Sequence, residues 1–442
     1  MVYDSLGLVT VKGSTINFPL PQLAFYVPRK PYTYSPGETM DKSNYTGNTK
    51  IKEEHKIKTI NCIRKYGPVS RTDIGMKTNI SKPTITRIVD DFIKDGLVKE
   101  TGTLEASSKR KPVGIELNPE AYYCIGINIS KNTLRAIIAD FAMNVILKNQ
   151  TDIKKINDAD MLLHAIHTSI CNLIEGNRID TKRILGIGIG ITGIVDHNNG
   201  VVVDFASSHQ LVDIPLKEYL ESKLGFRVFV DNDANAQALG EYWYGHAVGY
   251  ENSISVNCRE GIGSGIISGG RILRGKNNVT GEFGHMIINM FGRQCNCGRY
   301  GCIEAYCSTE AIENIAKVYL RRGRQSLLSD LVKGDVDRIN YEAIVRCAGK
   351  GDKLCLECLQ EAANILSMGL VNLIDILNPE IVILSGDLFE NDETFFEMLK
   401  EYTREKLFNS FSQDVLFVKR EINDNLYEIG AAALVYKDFF RD

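Results

Sequence analysis

Glu282-Phe283-Gly284-His285, followed by Cys295-Asn296-Cys297-Gly298-Arg299-Tyr300-Gly301-Cys302-Ile303-Glu304, is the stretch on which the reading of this chain turns. One imidazole and three thiols supply four soft or borderline donors, the number and chemistry of a closed tetrahedral zinc site. Gly298 and Gly301 let so short a loop turn back on one metal, because glycine tolerates positive φ. His285, Cys295, Cys297 and Cys302 are therefore the expected ligands of a structural Zn2+. Glu282 and Glu304 flank the cluster. Four N/S donors already close the shell, so both carboxylates are expected to be free to accept hydrogen bonds from another guest, and a polyol suits them. With eleven cysteines some close spacings arise by accident. Cys355-Leu356-Glu357-Cys358 is such a case: it lies in an apolar helical run and reads as core. The 285–302 set differs because the His, the Cys-x-Cys and the glycines share one loop.

Around this centre the composition is that of an ordinary globular protein: 442 residues, 44% hydrophobic and 24% charged. That length suggests two to four domains. No apolar run reads as long enough to span a bilayer, and Met1 to Lys12 lacks the basic-then-apolar order of a signal peptide. Scattered cysteines, odd in number, fit reduced thiols better than a disulfide framework, so a cytoplasmic location is expected. The net charge of −3 is unevenly spread: residues 1–50 carry +2, residues 51–117 carry +5, and the remainder carries −10. A basic small segment joined to an acidic large one suggests that one end meets a polyanion.

Residues 1–50 hold five of the eleven prolines and no sustained period, which reads as a loose arm; Met40 is the expected true start. From Lys52 the chain turns helical, with Ile57, Ile60 and Ile63 at spacings of three. Gly67-Pro68 ends that helix, and Ser70 can cap a second over Arg71 to Met76. Ser81-Lys82-Pro83-Thr84 opens a third, with Ile85, Ile88, Val89 and Phe92 on one face and Gly96 closing it. Leu97 to Glu100 and Val113 to Leu117 read as strands around a loop containing Lys109-Arg110-Lys111. Three helices and a basic wing make a winged helix-turn-helix over 51–118. In such a unit Lys82, Thr84, Thr86 and Arg87 would reach base edges in the major groove, while Lys109, Arg110 and Lys111 would contact phosphate or the minor groove. A protein-docking module is the plainer alternative; the helix opening and the basic wing together favour double-stranded DNA.

From Tyr122 strands and helices alternate: strands at Cys124–Ile129, Thr133–Asp140, Ile184–Ile191, Val228–Val230, Ile254–Cys258 and Ile381–Leu384, and helices at Met161–Leu173, Leu354–Leu377 and Tyr427–Phe440. This points to a two-lobed α/β architecture with ligand in the cleft between the lobes. The expected division is 119–230 for one lobe, completed by a C-terminal helix in 425–442, and 231–424 for the other, which carries the zinc loop.

Over residues 51 to 442 the chain resembles the repressor/kinase sugar family known as ROK, of the actin-like ATPase superfamily, and its xylose-repressor-like branch in particular. The resemblance rests on 282–304, on Asn232-Asp233-Ala234-Asn235, on Gly261-Ile262-Gly263-Ser264-Gly265 and on Asn378-Pro379-Glu380. It implies that Asn232, Asp233, Glu282, His285 and Glu304 hold a sugar, with His285 also on the metal, and that Asp233 matches the kinases' catalytic base. Paired carboxylates and amides suit vicinal hydroxyls. The nucleotide motifs depart from the kinase pattern. The first phosphate loop of the kinases, Asp-x-Gly-Gly-Thr, reads Asn128-Ile129-Ser130-Lys131-Asn132-Thr133. The Gly-Thr of the second reads Arg259-Glu260, and the late Gly-Gly reads Ser385-Gly386. A Glu aimed at a triphosphate adds repulsion. The surviving Gly261, Gly263 and Gly265 then read as tight-turn residues. Around Ser207-Ser208-His209 the Asn with which the family often contacts sugar is missing.

These readings lead to the expectation of a sugar-responsive transcriptional repressor of a carbohydrate operon, xylose-type, with Asp233 only a vestigial base and no kinase activity. It would bind a monosaccharide effector and an operator as a homodimer or dimer of dimers, since one winged helix gives few base contacts. The apolar helix at 354–377 offers an interface. A ROK sugar kinase carrying a DNA-binding head is the rival reading, and a constitutive DNA binder a second.

Overall fold

The computed structural model describes residues 9–11, 14–16, 47–104, 111–176, 179–205, 211–259, 261–390, 393–408, 414–420 and 425–440. Glu260, Lys109, Arg110 and Ser207-Ser208-His209, singled out above, lie outside them, as do Met40 and most of residues 1–39. Residues 1–41 form a unit of their own, in which β1 (Val9–Val11) pairs antiparallel with β2 (Ser14–Ile16).

In the larger unit the head comes first. Helix α1 (Gly47–Tyr66), strand β3 (Val69–Ser70), helices α2 (Arg71–Thr78) and α3 (Lys82–Lys94), and strands β4 (Val98–Thr103) and β5 (Val113–Leu117) form a helix-turn-helix with a three-stranded sheet in the order β3-β5-β4. The structure adds β3 to the two strands expected. Ser70 caps α2 by accepting from Asp73 N, and Asn79 closes it at φ 56. Ser81 holds the N-cap position of α3, but its hydroxyl lies 2.9 Å from Thr84 Oγ1 and makes no bond to the helix backbone. Ile85, Ile88, Val89 and Phe92 are all buried, as their spacing predicts.

Two sheets of like design follow. In the first, β6 (Tyr123–Ile129), β7 (Thr133–Asp140) and β8 (Val145–Asp152) form an antiparallel meander, which leads into helix α4 (Ala159–Glu175). Strand β9 (Ile184–Ile191) runs parallel to β6. A side sheet of β10 (Gly193–Asp196), β11 (Val201–Phe205) and β12 (Val212–Ile214) and helix α5 (Leu216–Leu224) precede β13 (Val228–Asn232), which is parallel to β9. Helix α6 (Asp233–Tyr244) starts at the end of β13. In the second sheet β14 (Ser253–Cys258), β15 (Ile262–Ser268) and β16 (Arg271–Ile272) form another meander. Helices α7 (Glu304–Cys307), α8 (Thr309–Arg321), α9 (Leu327–Leu331), α10 (Tyr341–Ala348) and α11 (Lys353–Leu377) lead to β17 (Ile381–Ser385), parallel to β14. Helices α12 (Asp387–Glu390) and α13 (Glu393–Lys406), strand β18 (Leu416–Lys419), parallel to β17, and helix α14 (Leu426–Phe440) complete the chain. The orders β8-β7-β6-β9-β13 and β16-β15-β14-β17-β18 are the same topology twice.

Glycine explains how α14 reaches the first sheet. A Cβ on Gly188 of β9 would collide with Ala431 O, and one on Gly126 of β6 with Glu428 O. The helix backbone therefore lies directly on the strands. In β15, Gly265 is pressed by Ala234 O of α6 in the same way, and Gly263 pairs with Asn257 of β14. Gly263 and Gly265 are thus strand residues where helix packs on sheet, which corrects the tight-turn reading; Gly261, bonded O to Arg259 N at 2.9 Å, is the one at a turn.

Helix α11 corrects one expectation, that no apolar run is long enough to span a bilayer. It is long and apolar enough to cross a membrane by length and composition alone. Yet Leu354, Leu359, Leu366 and Leu370 are buried in the core of the second sheet's helices, and Cys355 and Cys358 with them. Much of its apolar surface is therefore covered within this chain, while Ile376 near its end is 75% exposed.

Candidate functional site

The metal-ligating set forms one cluster. The donor atoms of His285, Cys295, Cys297 and Cys302 all lie within 4.8 Å of one another. His285 ends a short 3-10 turn over Phe283–His285, and Cys302 is held by a bridge to Ile287. Between them Cys295 N donates to Arg299 O and Gly298 N to Cys295 O, at 2.8 and 2.9 Å. Gly301 sits at φ 77 with Asn289 O where a Cβ would be, so only glycine fits. Cys297 Sγ is 3.8 Å from Cys302 Sγ, and Cys295 Sγ is 3.7 Å from His285 Nδ1. With Zn–S near 2.3 Å and Zn–N near 2.05 Å, a tetrahedron has edges of about 3.8 Å between sulfurs and about 3.6 Å between sulfur and nitrogen. The donor set and its spacing fit a four-coordinate metal. Burial pushes the Cys295 thiol up to about 12. Desolvation would raise Cys297 too, but hydrogen bonds from the backbone and side chain of Arg299 outweigh it and lower that thiol to about 6.

The predicted sugar residues converge from both sheets. Asn232 is the last residue of β13 and Asp233 the first of α6. Asn232 Oδ1 accepts from Ala234 N and Asn235 N, and its Nδ2 donates to Gly193 O at 3.0 Å. It is thus a helix cap as well as a cleft residue, with little of its amide unused. Asp233 accepts from Thr192 Oγ1 at 2.7 Å and from Ala234 N at 3.0 Å. Burial raises its carboxyl, against the pull of Thr192 and of the Arg259 charge. Glu282 is raised as well, first by desolvation and then by the Asp233 and Glu304 charges, which His285 partly offsets. Glu304, at the start of α7, is less free than its position in sequence implies. Its Oε2 accepts from Ile262 N at 2.9 Å, and its Oε1 lies 3.6 Å from Cys295 Sγ. Asp233, Glu282 and Glu304 lie near enough for their charges to act on Glu282, an acidic grouping beside the thiol cluster that can accept hydrogen bonds from hydroxyls.

The segments compared above with the kinases' phosphate motifs are each tied into the fold. Asn128 is 5% exposed. Ser130 and Thr133 close a tight hairpin through their hydroxyls at 2.8 Å. The Arg259 guanidinium lies 4.6 Å from the centre of the Tyr427 ring and 3.8 Å from Asp387 Oδ1. Ser385 Oγ accepts from Gln237 Nε2 at 2.6 Å and donates to Val256 O at 3.1 Å.

On the head, Lys82 and Arg87 are exposed on α3, and Thr84 and Thr86 are half-buried beside them. Thr86 Oγ1 donates back to Lys82 O. Lys111 is exposed before β5. Sequence reasoning missed Arg71, whose guanidinium bridges Asp90 of α3 and Glu100 of β4, each at 2.9 Å. It also missed Arg64 of α1, stacked 4.0 Å over the Trp243 ring at the far end of α6. Neither carried a local signal, because their partners lie far along the chain.

A helix-turn-helix head on a duplicated α/β body that carries a His/Cys cluster defines a class of regulators built on a sugar-kinase scaffold. The chain belongs to the ROK family, whose model matches residues 124–438, and a MarR family model matches the head over residues 53–101. It is 29% identical over 391 residues to the xylose repressor of Caldicellulosiruptor bescii, covering 88% of this chain and 97% of that one. It is 26% identical over 385 residues to the DNA-binding transcriptional dual regulator NagC of Escherichia coli K12, covering 87% and 93%. Among solved structures it is similar to a ROK family transcriptional regulator described as a homolog of the E. coli MLC protein, with TM-score 0.76 and 26% identity over 88% of this chain and 97% of that chain. A ROK family glucokinase from Streptomyces griseus, in complex with glucose and AMPPNP, matches with TM-score 0.63 and 27% identity; it covers 71% of this chain and 99% of itself.

Proposed function

We propose that the chain is a sugar-responsive, DNA-binding transcriptional repressor in which a monosaccharide binds at Asn232, Asp233, Glu282, His285 and Glu304. The observation that carries this is the joining of head to body. The regulators match over 88% of this chain, head included, while the glucokinase spans 71% of it. Residues 51–118 are assigned to the DNA head, 119–230 with the C-terminal helix to one lobe, and 231–424 to the other. Lys82, Thr84, Thr86 and Arg87 read bases, and Lys109, Arg110 and Lys111 meet the backbone. The head works as a pair in a homodimer on a palindromic operator. Zinc is the metal the donor set favours, and it supplies rigidity to the loop that presents His285. In this reading Asp233 orients a sugar hydroxyl and transfers no phosphate, since Arg259 occupies the loop position of the kinases' Gly-Thr and Asn128 that of their carboxylate. Xylose is the first effector to try, from the likeness to the xylose repressors.

Fluorescence anisotropy on the DNA upstream of the chain's own gene, with and without D-xylose, D-glucose and N-acetyl-D-glucosamine, tests the proposal. One sugar is expected to change the DNA affinity by roughly 5–150-fold. No change with any of a full monosaccharide panel would remove the effector. The kinase reading has Asp233 in its favour, and sugar-dependent ADP release from ATP would establish it instead.

A further inference from the structure

Asp231 stands one residue before the Asn232-Asp233 pair and is 1% exposed. A carboxylate so buried needs several donors, and it has them. Arg274 reaches it with both terminal nitrogens, Nη1 to Oδ1 at 2.9 Å and Nη2 to Oδ2. Oδ1 also accepts from Asn232 N at 2.9 Å, from Asn235 Nδ2 at 3.2 Å and from Asn278 Nδ2 at 3.3 Å. Asn278 takes a further bond from Arg274 Nη1 at 2.7 Å and donates to Val195 O of β10. It does so at φ 59, a left-handed conformation that Asn adopts more readily than most residues.

The placement gives this network its consequence. Arg274 and Asn278 lie in the segment that leaves β16 of the second sheet and runs to Glu282. Asp231 and Val195 belong to the first sheet and its side sheet. Four residues after Asn278 the same segment delivers Glu282, and its other anchor is Gly281 O, which accepts from Ser264 Oγ at 2.9 Å and Ser264 N at 3.2 Å on β15. The segment is thus tied to both sheets, and the Arg274 tie lands on the residue next to the Asn232-Asp233 pair.

We propose that Arg274 is a positioning residue for the sugar site: its two-pronged bond to Asp231, keyed by Asn278, sets the distance between Glu282 and the Asn232-Asp233 pair. This rests on the sugar reading above. It touches no ligand itself. A two-pronged guanidinium–carboxylate bond fixes angle as well as distance, and lysine cannot reproduce that.

The test uses the full-length, metal-loaded protein and titration calorimetry with D-xylose, D-glucose and N-acetyl-D-glucosamine. Arg274→Gln is expected to weaken the sugar bound by wild type at least tenfold, and Arg274→Lys to weaken it less. Because Arg274→Gln alone leaves a buried carboxylate uncompensated, it will also melt lower. Asp231→Asn combined with Arg274→Gln removes both charges and is expected to recover the melting temperature without recovering sugar affinity. A double variant that regains both would make the pair structural only and overturn the proposal, as would an Arg274→Gln protein with unchanged affinity. If wild type binds no monosaccharide, the sugar reading itself fails, an outcome distinct from either.

Discussion

Replacing Arg64 by alanine should uncouple the DNA head from the sugar site without unfolding either. Arg64 is on α1 of the head. Its guanidinium lies 4.0 Å from the Trp243 ring centre and 5.8 Å from that of Tyr244, and Nη1 donates to Trp243 O at a long 3.4 Å. Trp243 and Tyr244 end α6, a 12-residue helix whose first residue is Asp233. At 1.5 Å per residue α6 is about 18 Å long, and a helix buried on most sides over that length moves as a rod. A partly desolvated Arg–Trp stack contributes about 1–2 kcal/mol. Couplings between effector and operator sites amount to about 1–3 kcal/mol. The contact is therefore of the size needed to carry most of the signal.

The assay is the ratio of operator dissociation constants with and without saturating sugar, read by anisotropy. Losing about 1–2 kcal/mol of coupling shrinks that ratio by about 5–30-fold. Affinity for DNA without sugar should change little, because Arg64 is not on α3. Arg64→Lys, which keeps the charge and loses the flat stack, should fall between. A ratio within twofold of wild type in Arg64→Ala, with melting unchanged, would refute the argument and place the coupling in the shared core.

Further outcomes follow from the cluster, the buried carboxyl and the head. Purified protein should contain one zinc per chain; a chelator, or Cys302→Ser, should lower the melting temperature and abolish sugar binding together, read by metal analysis, calorimetry and thermal scans. Asp233, whose ordinary value is 3.8, is raised by burial, so the folded state holds its proton more tightly than the unfolded chain. The stability from that proton is present below the ordinary value and lost as pH rises through the folded one. Asp233→Asn should thus melt a few degrees higher at about pH 7, with the gap narrowing towards about pH 4, and should bind sugar less well. Arg87→Ala should cost about 1–3 kcal/mol on the cognate operator and relax its sequence preference, while Lys111→Ala should weaken all DNA alike and reduce the salt slope by about one.

What the sequence disclosed follows from where its signals are local. Ser81-Lys82-Pro83 and the spacing of Ile85, Ile88, Val89 and Phe92 put a start and a buried face on one short segment, so α3 was readable to within a residue. The donor set was readable because its four members span 18 residues and glycines mark the turns. Helix α6 was not. Ala234 through Glu241 and Trp243 are buried, Asn235, Gln237 and Glu241 among them, so α6 has no separate apolar and polar faces to give a period. Strand β8 hid for the opposite reason: it alternates half-buried with exposed, and Lys148, Asn149 and Gln150 give its middle a loop-like composition. The bond of Arg274 to Asp231 spans 43 residues and the Arg64–Trp243 contact 179, and no pattern in one chain announces such pairs.

The head is attached to the body through a shared core. Its core residues Ile63, Ile85 and Val89 belong to one cluster with Phe141 of the first sheet's meander, Leu239 and Trp243 of α6, Ile267 of the second sheet, and Tyr436 and Phe440 of α14. The head is thus packed where elements of both sheets meet, and α6 and α14 cross there so closely that a Cβ on Gly240 would crowd Gly430 Cα. If a body of this design closes its two sheets around a ligand, a change of angle between them is felt at that crossing. A head fixed to the crossing reads the angle directly, whatever closes the cleft. Sugar alone then suffices as a signal if it binds one angle better than the other. A substitution that opens the crossing, such as Gly240→Ala, should therefore alter DNA affinity with no sugar present, although residue 240 touches neither ligand.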